Sequence, residues 1–230
     1  MVGDNPIYKH DPEEAFDGQY IQAARAIRYN DQPRLLMMIK GHGSYRPIDP
    51  NHVGKQGMTL LLWAASHENI KAVNLLLDNG ADPNQKITNR KGDTFQLLAI
   101  AAKGKNDELF ETLLRHNADP NSRDRDEPAL FSAIYADRFD RMDALLKAGG
   151  DINITNGANT PAIVVLSRLR KFNYTLELLN KGAVMTGKAA SDIAYLIQKY
   201  PLSPSVPNYQ GQLKVKAILQ QRGYLSDDSK

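Results

Sequence analysis

The chain has 230 residues, of which 42% are hydrophobic and 24% charged, and its formal net charge is only +3. That composition excludes wholesale disorder and leaves apolar material for one large domain or two small ones. The lack of cysteine excludes disulfides, Cys-ligated zinc, iron–sulfur clusters and cysteine nucleophiles, and the longest apolar runs, residues 60–65 and 97–102, fall far short of the ~18 residues of a membrane span.

Residues 1–15 read as a polar, loose lead-in in which Glu13 and Glu14 are solvated. They carry no apolar stretch of the secretory kind, so no leader is expected, although a trimmed product would read the same way. A degenerate first unit is predicted over 16–51, with helices near 16–29 and 33–40, Pro33 in the first turn of the second, and a long connection at 41–48. Four better-formed units follow at about 52–84, 85–121, 122–153 and 154–185. Their shared punctuation is Asp49-Pro50-Asn51, Asp82-Pro83-Asn84, Asp119-Pro120-Asn121 and the variant Asp151-Ile152-Asn153, spaced by 33, 37 and 32 residues. The last three are preceded by Leu76-Leu77-Asp78-Asn79-Gly80-Ala81, Leu113-Leu114-Arg115-His116-Asn117-Ala118 and Leu145-Leu146-Lys147-Ala148-Gly149-Gly150. A fourth ending, Leu178-Leu179-Asn180-Lys181-Gly182-Ala183, lacks the Asp and Asn.

Each unit reads as two short antiparallel helices and a loop. Thr59 is a natural N-cap. Leu61, Ala64 and Ala65 share one helical face, and Ile70, Val73, Leu76 and Leu77 form the stripe of the next helix. Gly80, and Asn117 in its place, supply the left-handed residue that ends the second helix, and Pro50, Pro83 and Pro120 set the exit turn. The opening Gly57-Met58-Thr59-Leu60-Leu61-Leu62-Trp63-Ala64-Ala65 aligns with Gly92-Asp93-Thr94-Phe95-Gln96-Leu97-Leu98-Ala99-Ile100, which places a short insertion around Lys103-Gly104-Lys105. It also aligns with residues 126–133 and 160–165. A closing unit is predicted at 186–223, with helices 189–200 and 211–222 joined through Pro201, Pro204 and Pro207. Residues 224–230 form a polar tail.

These endings and openings resemble the ankyrin-repeat family, whose pattern is Gly-x-Thr-Pro-Leu-His-x-Ala-Ala followed by Leu-Leu-x-x-Gly-Ala-Asp-x-Asn. Only Thr160-Pro161 keeps the Thr-Pro pair, and the family His is replaced by Leu62, Leu97, Phe131 and Ile163. The resemblance covers about 20–223 and implies an all-α solenoid of about six helix-turn-helix units with atypical terminal units. In that family the two positions after the Ala-Ala pair face a concave groove. Carried over, they are Arg28 and Tyr29, Ser66 and His67, Ala101 and Ala102, Tyr135 and Ala136, and Ser167 and Arg168. The loop tips, 52–58, 86–93, 123–127 and 156–159, add His52, Lys55, Lys86, Arg90, Lys91, Arg123 and Arg125. Tyr and Arg are the enriched interface types, so Arg28, Tyr29, Tyr135 and Arg168 are the expected anchors. Tyr135 either faces the groove or packs on a neighbouring repeat. Trp63 is read as core, with groove exposure as the alternative.

Catalytic chemistry finds little support. Residues 182–189, Gly-Ala-Val-Met-Thr-Gly-Lys-Ala, nearly spell a phosphate-binding loop, but Ala189 stands where Ser or Thr is needed and no strand precedes them. His10, His42, His52, His67 and His116 lack metal-ligand spacing. Residues 123–127, Arg-Asp-Arg-Asp-Glu, lack the Gly and terminal Glu of a calcium loop and read as a solvated hairpin tip. No serine-hydrolase elbow occurs. Asn153-Ile154-Thr155 and Asn173-Tyr174-Thr175 are read as chance glycosylation sequons.

The expectation is a non-enzymatic protein-binding module without cofactor, metal or nucleic-acid partner, monomeric when free. The stretch 16–43, with 57–65, looks like small stand-alone bacterial ankyrin proteins. Some of those serve as immunity proteins against type VI secretion toxins, including phospholipases, and the implied mechanism is occlusion of a toxin, encoded nearby, by the concave face. The alternatives are a host-directed effector or scaffold, or a regulatory subunit of an enzyme. The compartment is open: cytoplasmic as written, periplasmic if a leader was removed.

Overall fold

Helix starts and stops set a regular rhythm. The Thr59 hydroxyl accepts the Leu62 amide at 3.0 Å and opens a seven-residue helix. At its end Glu68 takes φ 52°, and Asn30, Asp137 and Arg170 take 58°, 55° and 62° at the matching points of other pairs. This left-handed residue reverses the chain. Asp31, Asn69 and Asn106 then cap the second helices by accepting the Arg34, Ala72 and Leu109 amides at 3.1, 3.0 and 2.9 Å, satisfying donors that a helix N-terminus leaves open.

The computed structural model describes residues 11–226; residues 1–10 of the expected lead-in and 227–230 of the tail lie outside them. The described residues are mostly helical and form two compact units, divided between Arg125 and Asp126. The first holds α1 (Pro12–Ala15), α2 (Gln19–Arg28), α3 (Gln32–Lys40), α4 (Leu60–Ser66), α5 (Ile70–Asp78), β1 (Ile87–Thr88), β2 (Thr94–Phe95), α6 (Leu97–Lys103), α7 (Asp107–Arg115) and β3 (Arg123–Asp124). The second holds β4 (Glu127–Pro128), α8 (Ala129–Tyr135), α9 (Phe139–Lys147), α10 (Ala162–Arg168), α11 (Phe172–Asn180), α12 (Gly187–Lys199) and α13 (Tyr209–Gln221).

In the first unit α2 packs on α4, α3 on α5 and α5 on α7, so successive pairs stack. The core is a strip between pairs, filled by Leu35, Met38, Leu60, Leu76, Leu98 and Leu113. Trp63 is fully buried; its indole N–H donates to the Ala24 carbonyl at 3.0 Å and its ring meets Phe16 edge to face at 5.8 Å. This is the core role read for it from sequence. In the second unit α10 packs on α8 and α12, and α11 on α13, around Phe131, Met142, Val164, Phe172, Leu178, Ile193 and Val215.

The Asp-x-Asn motif links the pairs. Within each copy the Asp carboxylate accepts the Asn amide, at 2.9 Å for Asp49, 2.8 Å for Asp82, 2.9 Å for Asp119 and 2.8 Å for Asp151. That turn aims the Asn side chain at the following repeat. Asn51 donates to the Gly80 carbonyl (2.8 Å) and accepts the Asp82 amide (2.7 Å). Asn84 repeats this with Asn117 (3.1 Å) and Asp119 (2.6 Å), and Asn153 accepts the Val184 amide (2.8 Å).

Three details differ from the sequence reading. The lead-in is not loose throughout: residues 12–15 form α1, with Pro12 and Ala15 buried, because the Ala15 carbonyl and Phe16 ring close over Gly54, where a Cβ would lie 2.4 Å from that oxygen. The loop tips carry two-residue strands, β1 pairing with β2 and β2 with β3, both antiparallel. The insertion of the third unit lies in its tip: residues 85–96 precede α6, against 52–59 before α4, while the link 104–106 between α6 and α7 is as short as 67–69 between α4 and α5. Thr94 therefore lies in β2, and Gln96 occupies the N-cap that Thr59 fills in the previous unit.

Candidate interaction surfaces

That two-residue shift re-sorts the positions expected to face a partner. Aligned by structure, Ala101-Ala102 is itself the small pair corresponding to Ala64-Ala65, and both side chains are buried. Close approach between pairs requires small residues there. The exposed helix end is Lys103, whose ammonium lies 2.6 Å from Asp124. Ser167 likewise fills a small buried slot, its hydroxyl donating to the Ile163 carbonyl at 2.8 Å and lying 3.1 Å from the Thr175 hydroxyl; Arg168 ends the helix and Leu169 follows, exposed. Ser66 ends its helix but is only 7% exposed and donates to the Trp63 carbonyl at 2.8 Å. Ala101, Ala102, Ser167 and Ser66 therefore present no side chain to a partner. Lys103 and Leu169 were missed; aligning the alanine pair instead of the threonine would have found Lys103.

In the first unit, Arg28 and His67 line a cleft of about 390 Å³ with Ile27, Asn30, Glu68, Asn69, Ile70, Lys71 and Glu108. It sits where α2 and α4 turn into their second helices. The Asn69 amide donates to the Ile27 carbonyl at 2.6 Å and fixes one wall. His67 is tied down by its Nδ1, 2.9 Å from the Trp63 carbonyl, and its ring lies 4.4 Å from the indole. Arg28 reaches Asp11 at 3.3 Å. Between two lining residues in sequence, Tyr29 is 76% exposed, and its hydroxyl has no hydrogen-bond partner among the described residues.

Several tip residues are already engaged inside the first unit. His52 stacks on Tyr20 at 3.8 Å. Lys55 lies 2.7 Å from Asp17 and donates to the Glu13 carbonyl, while Glu13 pairs with Arg25. Arg125 lies 3.5 Å from Asp93, and the Arg123 backbone is held by both ends of Gln96. The Asn89 side-chain hydrogen bond, with help from Arg125, holds the Asp93 carboxyl below the usual carboxylate range. Lys86, Arg90 and Lys91 are exposed.

In the second unit Tyr135 is 51% exposed, its hydroxyl accepting from Asn156 at 3.3 Å in the next tip. It is half-exposed and also touches the next tip. Arg168 pairs with Asp192 at 3.5 Å. Arg138 lowers the Asp140 carboxyl by a side-chain hydrogen bond. The near phosphate-loop has its amides and carbonyls in use: the Val184 amide on Asn153, the Gly187 amide on the Tyr224 hydroxyl, and the Met185 carbonyl accepting from Arg222. Asn153 of the first sequon is the inter-repeat link. Among the described residues no three His, Asp or Glu side chains gather as a metal site, and no helix is long and apolar enough to cross a membrane.

The ankyrin-repeat family pattern matches residues 56–88 and 97–125. The chain carries ankyrin repeats. Ankyrin repeats form protein–protein interaction modules. The chain is 35% identical over 105 residues to the transient receptor potential channel pyrexia of Drosophila melanogaster, covering 46% of this chain and 11% of the channel. It is 30% identical over 138 residues to alpha-latrocrustotoxin-Lt1a of Latrodectus tredecimguttatus (60% and 10%) and 32% identical over 133 residues to alpha-latrotoxin-Lg1a of Latrodectus geometricus (56% and 9%). It thus spans about a tenth of the length of these relatives.

Proposed function

We propose that this ankyrin chain binds a partner protein and inhibits it by covering its working surface. Tyr29 and the cleft beside it anchor the partner on the first unit, and Tyr135 does so on the second. The observation that carries the proposal is Tyr29. Single exposed apolar residues are ordinary on protein surfaces, but this one is a large aromatic, 76% exposed, flanked in sequence by two lining residues of a 390 Å³ cleft. Tyrosine brings a large contact area with few rotors to freeze, which is why it is enriched at binding hot spots. The exposed Lys86, Arg90 and Lys91 extend the surface.

Within this reading the partner is a secreted toxin encoded nearby, with the chain as its immunity protein. The support is the likeness of residues 16–43 and 57–65 to stand-alone bacterial ankyrin proteins. The matched channel and latrotoxins share the repeat and select no partner. The test is affinity purification of the chain from its native organism, in parallel with Tyr29→Ala, followed by mass spectrometry and by co-expression with neighbouring gene products. A stoichiometric partner depleted in the Tyr29→Ala eluate supports binding, and rescue from an adjacent toxin supports the immunity role. No partner in either eluate contradicts the first, and no rescue contradicts the second.

A further inference from the structure

The loop tips of the first unit, residues 52–58, 86–93 and 123–125, carry six cationic side chains and two carboxylates. Both carboxylates are committed inside the unit. Asp93 accepts from the Asn89 side-chain amide at 3.0 Å and faces Arg125 at 3.5 Å, and Asp124 holds Lys103 at 2.6 Å. Lys55 is held by Asp17. In the longest tip Lys86, just before β1, and Arg90, in the turn between β1 and β2, make no ion pair among the described residues, and Lys91 feels Asp93 only through its field.

The apex is pre-ordered. The Asn89 side-chain oxygen accepts the Lys91 amide at 2.9 Å and the Asp93 amide at 3.0 Å, while the Asn89 amide donates to the Asp93 carbonyl at 3.0 Å. The preceding tip braces it, since Gly57 has φ 77° and a Cβ there would lie 2.2 Å from the Thr88 carbonyl oxygen. Two unneutralised cations, Arg90 and Lys91, thus lie in a turn whose backbone is already fixed, with Lys86 at its base before β1, which lowers the ordering cost of engaging an anion.

We infer that the 86–93 tip docks an acidic segment of the partner protein, with two or three carboxylates received by Lys86, Arg90 and Lys91. The inference rests on the protein-binding reading and deepens it. A nucleic-acid backbone fits worse: it calls for a longer cationic stripe and, for single strands, stacking aromatics, and residues 86–93 contain no aromatic. Such contacts act mainly on association rate and fall with salt.

The test titrates octaglutamate into the full isotope-labelled chain at low ionic strength. The amides of residues 86–91 should shift most, and Lys86→Glu/Arg90→Glu/Lys91→Glu should weaken binding about tenfold or more. Lys40→Glu/Lys147→Glu/Lys214→Glu, which removes the same charge from exposed positions elsewhere, should leave it nearly unchanged. Shifts spread over the other cations, equal loss in both triple variants, or a short DNA duplex binding tighter than octaglutamate at equal ionic strength would each overturn the inference. So would a captured partner whose association rate ignores the tip reversal; that result leaves the protein-binding reading standing.

Discussion

Replacing Asn84 by alanine removes one link between stacked repeats without touching the apolar core. Its side chain accepts the Asp119 amide at 2.6 Å and donates to the Asn117 carbonyl at 3.1 Å, while its own amide, bonded to Asp82, stays in place. Two intramolecular hydrogen bonds are worth about 1 kcal/mol each in net terms, and water at this exposed site replaces part of that, so the expected loss is about 1–2 kcal/mol. For a chain of this size that lowers the melting temperature by roughly 2–8 °C. Because repeat stability depends on nearest-neighbour interfaces, the loss should be local: hydrogen exchange at the Asp119 amide should accelerate, while amides of α10 and α11 change little. Asn84→Asp keeps the acceptor, loses the donor and turns a carboxylate toward the Asn117 carbonyl, so it should cost at least half as much. Urea unfolding followed by circular dichroism gives the stability. A loss below about 0.3 kcal/mol, or unchanged Asp119 protection, would refute the linking role.

Trp63→Ala should cost about 3–5 kcal/mol in urea denaturation, since it empties a fully buried site and leaves the Ala24 carbonyl without its donor; a cost near zero would mean that the indole is not core. Gly57→Ala should destabilise by at least about 1 kcal/mol, combining a left-handed backbone with a clash on Thr88, and calorimetry decides it. Asn89→Ala should raise the Asp93 carboxyl toward the ordinary 3.8, because the Asn89 hydrogen bond is the largest cause of its depression. As the folded value is the lower one, the tip gains order from Asp93 above the unfolded value and loses it as pH falls through the folded one; a carboxyl NMR titration unmoved by the substitution contradicts this. Tyr135→Ala should change stability by no more than about 0.5 kcal/mol yet weaken partner binding, and a large melting drop with unchanged affinity would mark it as packing.

The fold was legible because its punctuation is backbone chemistry. Asp-Pro-Asn, the left-handed Gly80 and Asn117, and the Thr59 cap each act within a few residues, so spacing alone located the helix pairs. The register of the third unit was not legible: Thr94 is as good a cap on paper as Thr59, and only the pairing of β1 with β2 shows that it lies in a strand. Exposure was legible at Tyr29, Tyr135, Lys86, Arg90 and Lys91. Ion pairing was not legible where the partner lies far along the chain. Arg28 is held by Asp11, Lys55 by Asp17 and Arg168 by Asp192, pairings that no local pattern encodes. Ser66 and Ser167 read as groove residues because they are small and polar, whereas their hydroxyls bond to their own helices.

The central claim is that this repeat surface binds a protein through Tyr29. It is tested most directly by the affinity of the purified chain for its captured partner, wild type against Tyr29→Ala, with the melting temperature of both recorded. The account predicts binding at least about thirtyfold weaker, roughly 2 kcal/mol, with melting unchanged within about 2 °C. Equal affinities would contradict it.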